Sequence, residues 1–141
     1  MTDYDTTVLC MHFPCLLDEK MKDLLSKALE HGDNLHNLQS ILKNYESGVV
    51  KILHGEKYFC MVEIYKSGSG RNIMDIVILA GYDMNEWLIP LLTQVKDMAQ
   101  KNNVQKMYVH GRKGWLKRLQ RYGFSYSYSS LSVSPIDLAI P

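Results

Sequence analysis

The sequence predicts one α/β domain of the α+β kind, with a central mixed, mostly antiparallel sheet flanked by helices. Three observations carry this. Apolar residues recur at spacings of three and four over residues 21–29, 35–42 and 87–99, the period of a buried helix face. Three runs rich in β-branched, apolar and aromatic residues follow one another between residues 49 and 80, separated by turn residues. The chain has 141 residues, 46% hydrophobic and 22% charged, a length and composition that build one core and exclude disorder for most of it. No internal repeat or second domain is visible. Residues 1–134 read as the domain and 135–141 as a C-terminal tail.

Thr6 to His12 is β-branched and apolar and predicts a short strand, which Pro14 ends. Asp18 predicts a helix N-cap, ahead of Met21, Leu24, Leu25, Ala28 and Leu29, with Gly32 as the stop. Asp33 or Asn34 predicts the cap of a second helix, with Leu35, Leu38, Ile41 and Leu42 on one face and Gly48 after it. Val49–Leu53, Tyr58–Lys66 and Ile73–Ala80 predict three strands of an antiparallel meander, turning at residues 54–57 and at Ser67-Gly68-Ser69-Gly70. The third is nearly all apolar, as suits an interior strand covered on both faces. A long helix is predicted from about Asn85 to Asn102, with Trp87, Leu91, Val95 and Met98 in one stripe. Lys106–His110 predicts a strand, Lys113–Tyr122 a short basic helix ended by Gly123, and Ser125–Val133 a final strand.

No apolar run approaches the roughly 20 residues that span a bilayer. The first residues, Met1-Thr2-Asp3-Tyr4-Asp5, are acidic, unlike a secretory signal, so a protein kept inside the cell is expected. The three cysteines, Cys10, Cys15 and Cys60, are an odd count without such a signal and predict free thiols. Cys10, His12 and Cys15 lie close together, with His31 and His36 beyond, but no second ligand pair at zinc spacing follows and no metal is expected.

Charge is unevenly spread. The net charge is +1, yet Met98 to Ile136 holds no Asp or Glu and seven cations, so the rest of the chain carries about −6. Arg112, Lys113, Lys117, Arg118 and Arg121 crowd one short segment, with Trp115 among them and Tyr122 directly after. Such a segment serves a nucleic acid through phosphate contacts and stacking, serves an acidic protein, or is a solvated helix face over a buried stripe of Trp115, Leu116 and Leu119. His110, between a strand and a glycine, is a candidate general base, and equally a structural histidine. Tyr126 and Tyr128 read as sheet packing.

The order strand, helix, helix, three strands, helix, strand, helix, strand resembles the GNAT N-acetyltransferases. So does the run Tyr108-Val109-His110-Gly111-Arg112-Lys113-Gly114-Trp115-Leu116-Lys117-Arg118-Leu119-Gln120-Arg121-Tyr122-Gly123-Phe124, which is similar to that family's late strand, short helix and closing Gly-Phe. The resemblance spans about residues 6–133. It implies that fold and, if the activity is kept, acyl transfer from acetyl-CoA to an amine. The family grips the CoA pyrophosphate with a Gln/Arg-x-x-Gly-x-Gly/Ala loop at the start of its long helix. The equivalent segment here, Gly81, Tyr82, Asp83, Met84, Asn85 and Glu86, keeps one glycine, and Asp83 and Glu86 have the spacing of a capping box that would occupy the N–H groups. No cofactor is therefore expected. The positions matching the family's helix-start Asn and its acid Tyr hold Arg112 and Leu119, while Tyr122 stands next to the glycine instead. Glu63 lies where some members place a base, although alternation also puts it on a solvent face. Small GNAT-like proteins of tailed bacteriophages share these departures. That resemblance implies a binding or assembly role with phage or host protein partners, in the cytoplasm of a bacterial host or packaged in the virion. The alternatives are an acyltransferase with an unusual CoA grip, using cations such as Arg112 and Lys113, and a nucleic-acid-binding module working through residues 106–121.

Overall fold

The computed structural model of the chain describes residues 3–31, 37–109, 117–127 and 130–141. Its helices are α1 (Asp3–His12), α2 (Glu19–His31), α3 (Leu38–Glu46) and α4 (Leu88–Lys101). Its strands are β1 (Val50–Gly55), β2 (Tyr58–Lys66), β3 (Asn72–Gly81), β4 (Lys106–Val109), β5 (Ser125–Ser127) and β6 (Ser130–Val133). They form one six-stranded sheet in the order β1-β2-β3-β4-β6-β5, antiparallel except for the β3–β4 pair. That parallel pair requires a crossover, and α4 supplies it.

The sheet is buried on both faces. Met74, Ile76, Met107, Val109 and Val133 pack with Leu88, Leu91, Leu92 and Val95 of α4 on one side. Phe59, Met61 and Ile78 pack under α1, α2 and α3 on the other. The β2–β3 register shifts by one residue: Met61 faces Ile78 and Val62 faces Ile76, leaving Val77 as a bulge. A strand's faces alternate with period two, so this extra residue is what sends Ile76 and Ile78 to opposite layers.

Five expectations are corrected. Residues 6–12 form part of helix α1, not a strand. Leu9 (1% exposed) and Phe13 (2%) lie one helical turn apart, and the Phe13 ring meets Tyr45, His54 and Phe59 at 4.9–5.5 Å, so packing overrides the β-branched propensity. The cap of α3 is Asn37, in a reciprocal capping box with Ser40; Asp33, Asn34 and Leu35 lie outside the described residues. The long helix begins at Leu88 after a separate 3-10 turn, Met84–Glu86, because Pro90 clashes with the carbonyl four residues back and fits only the first turn of a helix. The first hairpin turns more tightly than residues 54–57 suggested, with Gly55 paired to Tyr58. The closing run 125–133 is a hairpin rather than one strand, with Ser127 paired to Ser130.

Asp18 caps α2 as expected: its Oδ1 accepts the Lys20 N–H at 3.1 Å. Residues 135–141 pack back on the domain. Leu138 is 2% exposed, its carbonyl accepts from Lys96 Nζ, and the Ala139 N–H donates to the Tyr122 carbonyl. Of the short basic helix expected over 113–122, the described part is a closing helical segment of residues 117–122, an α-helical turn running into the 3-10 turn Gln120–Tyr122. Gly123 ends it at φ +99, and a Cβ there would lie 2.6 Å from the Asp137 carbonyl oxygen. No helix among the described residues is long and apolar enough to cross a membrane.

Candidate functional site

The β3–α4 connection is held by its own side chains. Gly81 ends β3 against the Trp87 indole and the Lys57 carbonyl: a Cβ at this position would sit 2.6 Å from Trp87 Cζ2 and 2.5 Å from the Lys57 oxygen. Trp87 is buried, stacks on Tyr58 at 4.8 Å and donates from Nε1 to the Tyr82 carbonyl at 2.7 Å. Asp83 takes a left-handed conformation, φ +54 and ψ +48.

The expected capping box between Asp83 and Glu86 does not form. The Asp83 side chain caps nothing. Instead Lys57, from the β1–β2 turn, reaches across to both carboxylates, 3.0 Å from Asp83 Oδ2 and 2.8 Å from Glu86 Oε2. Hydrogen bonds to Glu86 first, and to Asp83, raise the Lys57 ammonium well above the usual lysine range. The bridge is solvent-exposed, so it registers the loop more than it stabilises the fold. Tyr82 extends the network to α2: its hydroxyl donates to Asp18 Oδ2 at 2.9 Å, and the Lys20 ammonium lies 4.1 Å from its ring centroid. The bond to Asp18 is the first cause of the raised Tyr82 phenol.

A second constellation crosses the sheet on the face that carries Met61 and Ile78. Glu63, Asp75, Tyr108 and Ser132 are register partners across β2, β3, β4 and β6. Glu63, Asp75 and Tyr108 are half-buried and Ser132 is buried. Tyr65 Oη donates to Asp75 Oδ2 at 3.2 Å. Its phenol is pushed up to about 12 by burial and then by the negative charge of Asp75. This row can accept hydrogen bonds from a cationic group and move a proton through a carboxylate.

The remaining candidates lie apart. Tyr122 packs against the α4-side core, on the other face of the sheet from Glu63, so the two share no site. His110, Arg112 and Lys113 lie outside the described residues. Lys117, Arg118 and Arg121 are exposed, and Leu119 between them is 1% exposed. Arg118 Nη1 reaches Met84 Sδ at 3.3 Å and Asn85 Oδ1 at 3.4 Å, tying the closing segment to the β3–α4 connection. Cys15 and Cys60 are buried, which pushes their thiols up to about 11 and 12. No group of three or more metal-ligating side chains occurs among the described residues.

The sequence-based reading missed Lys57, Tyr65, Asp75 and Tyr108. Asp75 had a signal, as the one charge in the apolar run 73–80. Lys57 had none, because its partners lie 26 and 29 residues away.

No family model matches the chain, and no curated protein matches it. A solved structure does: that of a candidate acetyltransferase from Staphylococcus aureus Mu50, with a TM-score of 0.52 and 11% identity, over 84% of this chain and 95% of that one. The likeness shows the fold: a single GNAT-like domain, its sheet flanked by helices.

Proposed function

We propose that this chain is a binding and assembly domain on the GNAT fold that does not hold acetyl-CoA in that family's manner. The β3–α4 connection carries this reading. A pyrophosphate on backbone N–H groups needs glycines that let the main chain come close, and an open helix N-terminus. Here Trp87 and the Lys57 carbonyl fill the space beside Gly81, and Pro90 removes an N–H from the first turn of α4. Asp83 and Glu86 set two carboxylates against one lysine where phosphate charges would enter. The residues present do not fit the group. Isothermal titration of the full chain with acetyl-CoA tests this: no saturable heat is expected, and micromolar affinity overturns it. The resemblance of residues 108–124 supports a phage setting and virion-associated assembly. Mass spectrometry of purified particles checks that setting, and absence of the chain from them counts against it.

A second reading, an N-acyltransferase with an atypical CoA grip that uses Arg112 and Lys113, is favoured by the polar row. Glu63 and Asp75 beside the phenols of Tyr65 and Tyr108 form a place to hold and deprotonate an amine. Thiol release from acetyl-CoA in the presence of an amine panel, lost in Glu63→Gln and Asp75→Asn, would establish it over the first.

A further inference from the structure

We infer that the exposed cations of residues 117–121 bind the phosphodiester backbone of a nucleic acid, independently of sequence. The inference rests on the binding reading above and names the partner. Lys22, Lys27, Lys57 and Lys101 are each neutralised by a carboxylate within 3.3 Å. Lys117, Arg118 and Arg121 belong to none of the ion pairs among the described residues. Nor does local sequence hold any acid for them, since none occurs from Met98 to Ile136. Lys117 and Arg121 therefore present exposed charges that no carboxylate among the described residues pairs.

The geometry presents these charges on a held surface. Leu119 sinks into the core, Arg118 reaches the β3–α4 connection, and the Tyr122 carbonyl is bonded to the Ala139 N–H. Lys117 and Arg121 are four apart, across the junction of an α-helical turn and the 3-10 turn Gln120–Tyr122, and both are exposed, as is Arg118. A partner that meets them spends little on ordering the backbone.

The chemistry selects the partner class. Protein interfaces centre on buried apolar or aromatic anchors inside a polar rim. On this segment Lys117, Arg118, Gln120 and Arg121 are exposed and polar, and the apolar Leu119 is turned inward. Over the described residues 117–121 the exposed face is cationic and polar, and such a face suits repeating phosphates, whose binding draws on counterion release and needs no apolar contact.

Fluorescence anisotropy of the full chain with a labelled random-sequence duplex and the matching single strand tests this across a sodium chloride series. Binding to both is expected, with log affinity falling against log salt at a slope of about −2 to −3 for two or three phosphate contacts. Lys117→Glu with Arg121→Glu should abolish it, and Lys117→Arg with Arg121→Lys should keep it. Thermal melts show whether the Glu pair folds. If it does not, Lys117→Gln with Arg121→Gln decides, and should reduce the slope by about 2. No binding at low salt, binding unmoved by a folded variant, or equal binding of polyglutamate overturns the inference. The last result would make the partner an acidic polypeptide. Acetyl-CoA titrated in the same buffer separates the two levels: a silent titration beside failed nucleic-acid binding sinks this inference alone, while micromolar CoA affinity sinks the reading beneath it.

Discussion

At Gly81 a methyl group has nowhere to go. The Lys57 carbonyl and the Trp87 ring already occupy the position a Cβ would take, and neither is the free end of a flexible side chain. Gly81→Ala should therefore destabilise the fold by about 1–3 kcal/mol, the usual cost of overpacking, as read by urea denaturation. Gly48 is the opposite case: it has open space around it but φ +80, so Gly48→Ala meets only backbone strain, of about 1–2 kcal/mol, and Gly48→Asn should recover part of it. Titration at single residues is also predictable. The Tyr65 phenol ionises less readily folded, at about 12, than unfolded, at about 10. Its stabilising effect is complete below about pH 10 and is lost as pH rises toward about 12. Unfolding free energy should fall across that alkaline window, and Tyr65→Phe should flatten the fall. Among the thiols, half-buried Cys10 should react first with a disulfide reagent on the native protein, with buried Cys15 and Cys60 reacting only on unfolding.

At the scale of elements, legibility followed the range of the forces involved. β2, β3 and the body of α4 were visible because a local period and a long buried face agree: Trp87, Leu91 and Val95 are buried, as are Ile76 and Ile78. The end of α3 could be read from Gly48, but its start could not, because both Asn34 and Asn37 are chemically competent caps and only the Asn37–Ser40 reciprocity separates them. Asn37→Ala should cost about 1 kcal/mol in denaturant melts. Residues 6–12 failed as a strand because what decides them is distant: Phe13 docks among Tyr45, His54 and Phe59 from three other elements. Helical α1 then predicts that Leu9→Ala, which empties a site 1% exposed under α3, costs about 2–5 kcal/mol, whereas exposed Met11→Ala costs little. Equal effects at the two positions would favour a strand-like alternation instead. The candidate site was half legible in the same sense. Its glycine-poor, acidic loop could be read locally, but the fate of the two carboxylates depended on Lys57, which only the β1–β2 hairpin brings near.

Across the whole molecule, the sheet separates two chemistries. The polar row of Glu63, Asp75, Tyr108 and Ser132 lies on the face shared with α1–α3, while the α4 face carries the core on which the closing segment and the C-terminal residues rest. Residues 135–141 matter to both stability and the basic surface. Leu138 fills a place beside α4, Lys96 holds its carbonyl, and Ala139 bonds to Tyr122 one residue beyond Arg121. Truncation after Ser134 removes that apolar burial, worth about 1.5–3 kcal/mol for the leucine alone, and cuts the bond that fixes the end of the cationic segment. The truncated chain should melt earlier. It should also bind nucleic acid more weakly at a temperature where it is still folded, yet with an unchanged salt slope, because Lys117, Arg118 and Arg121 all remain and only their ordering is lost. Leu138→Ala separates the two effects: it should lower stability and leave the affinity nearly intact, since the Ala139–Tyr122 bond is made by the main chain. Full affinity in the truncated chain would mean that the segment is held by Leu119 and Arg118 alone.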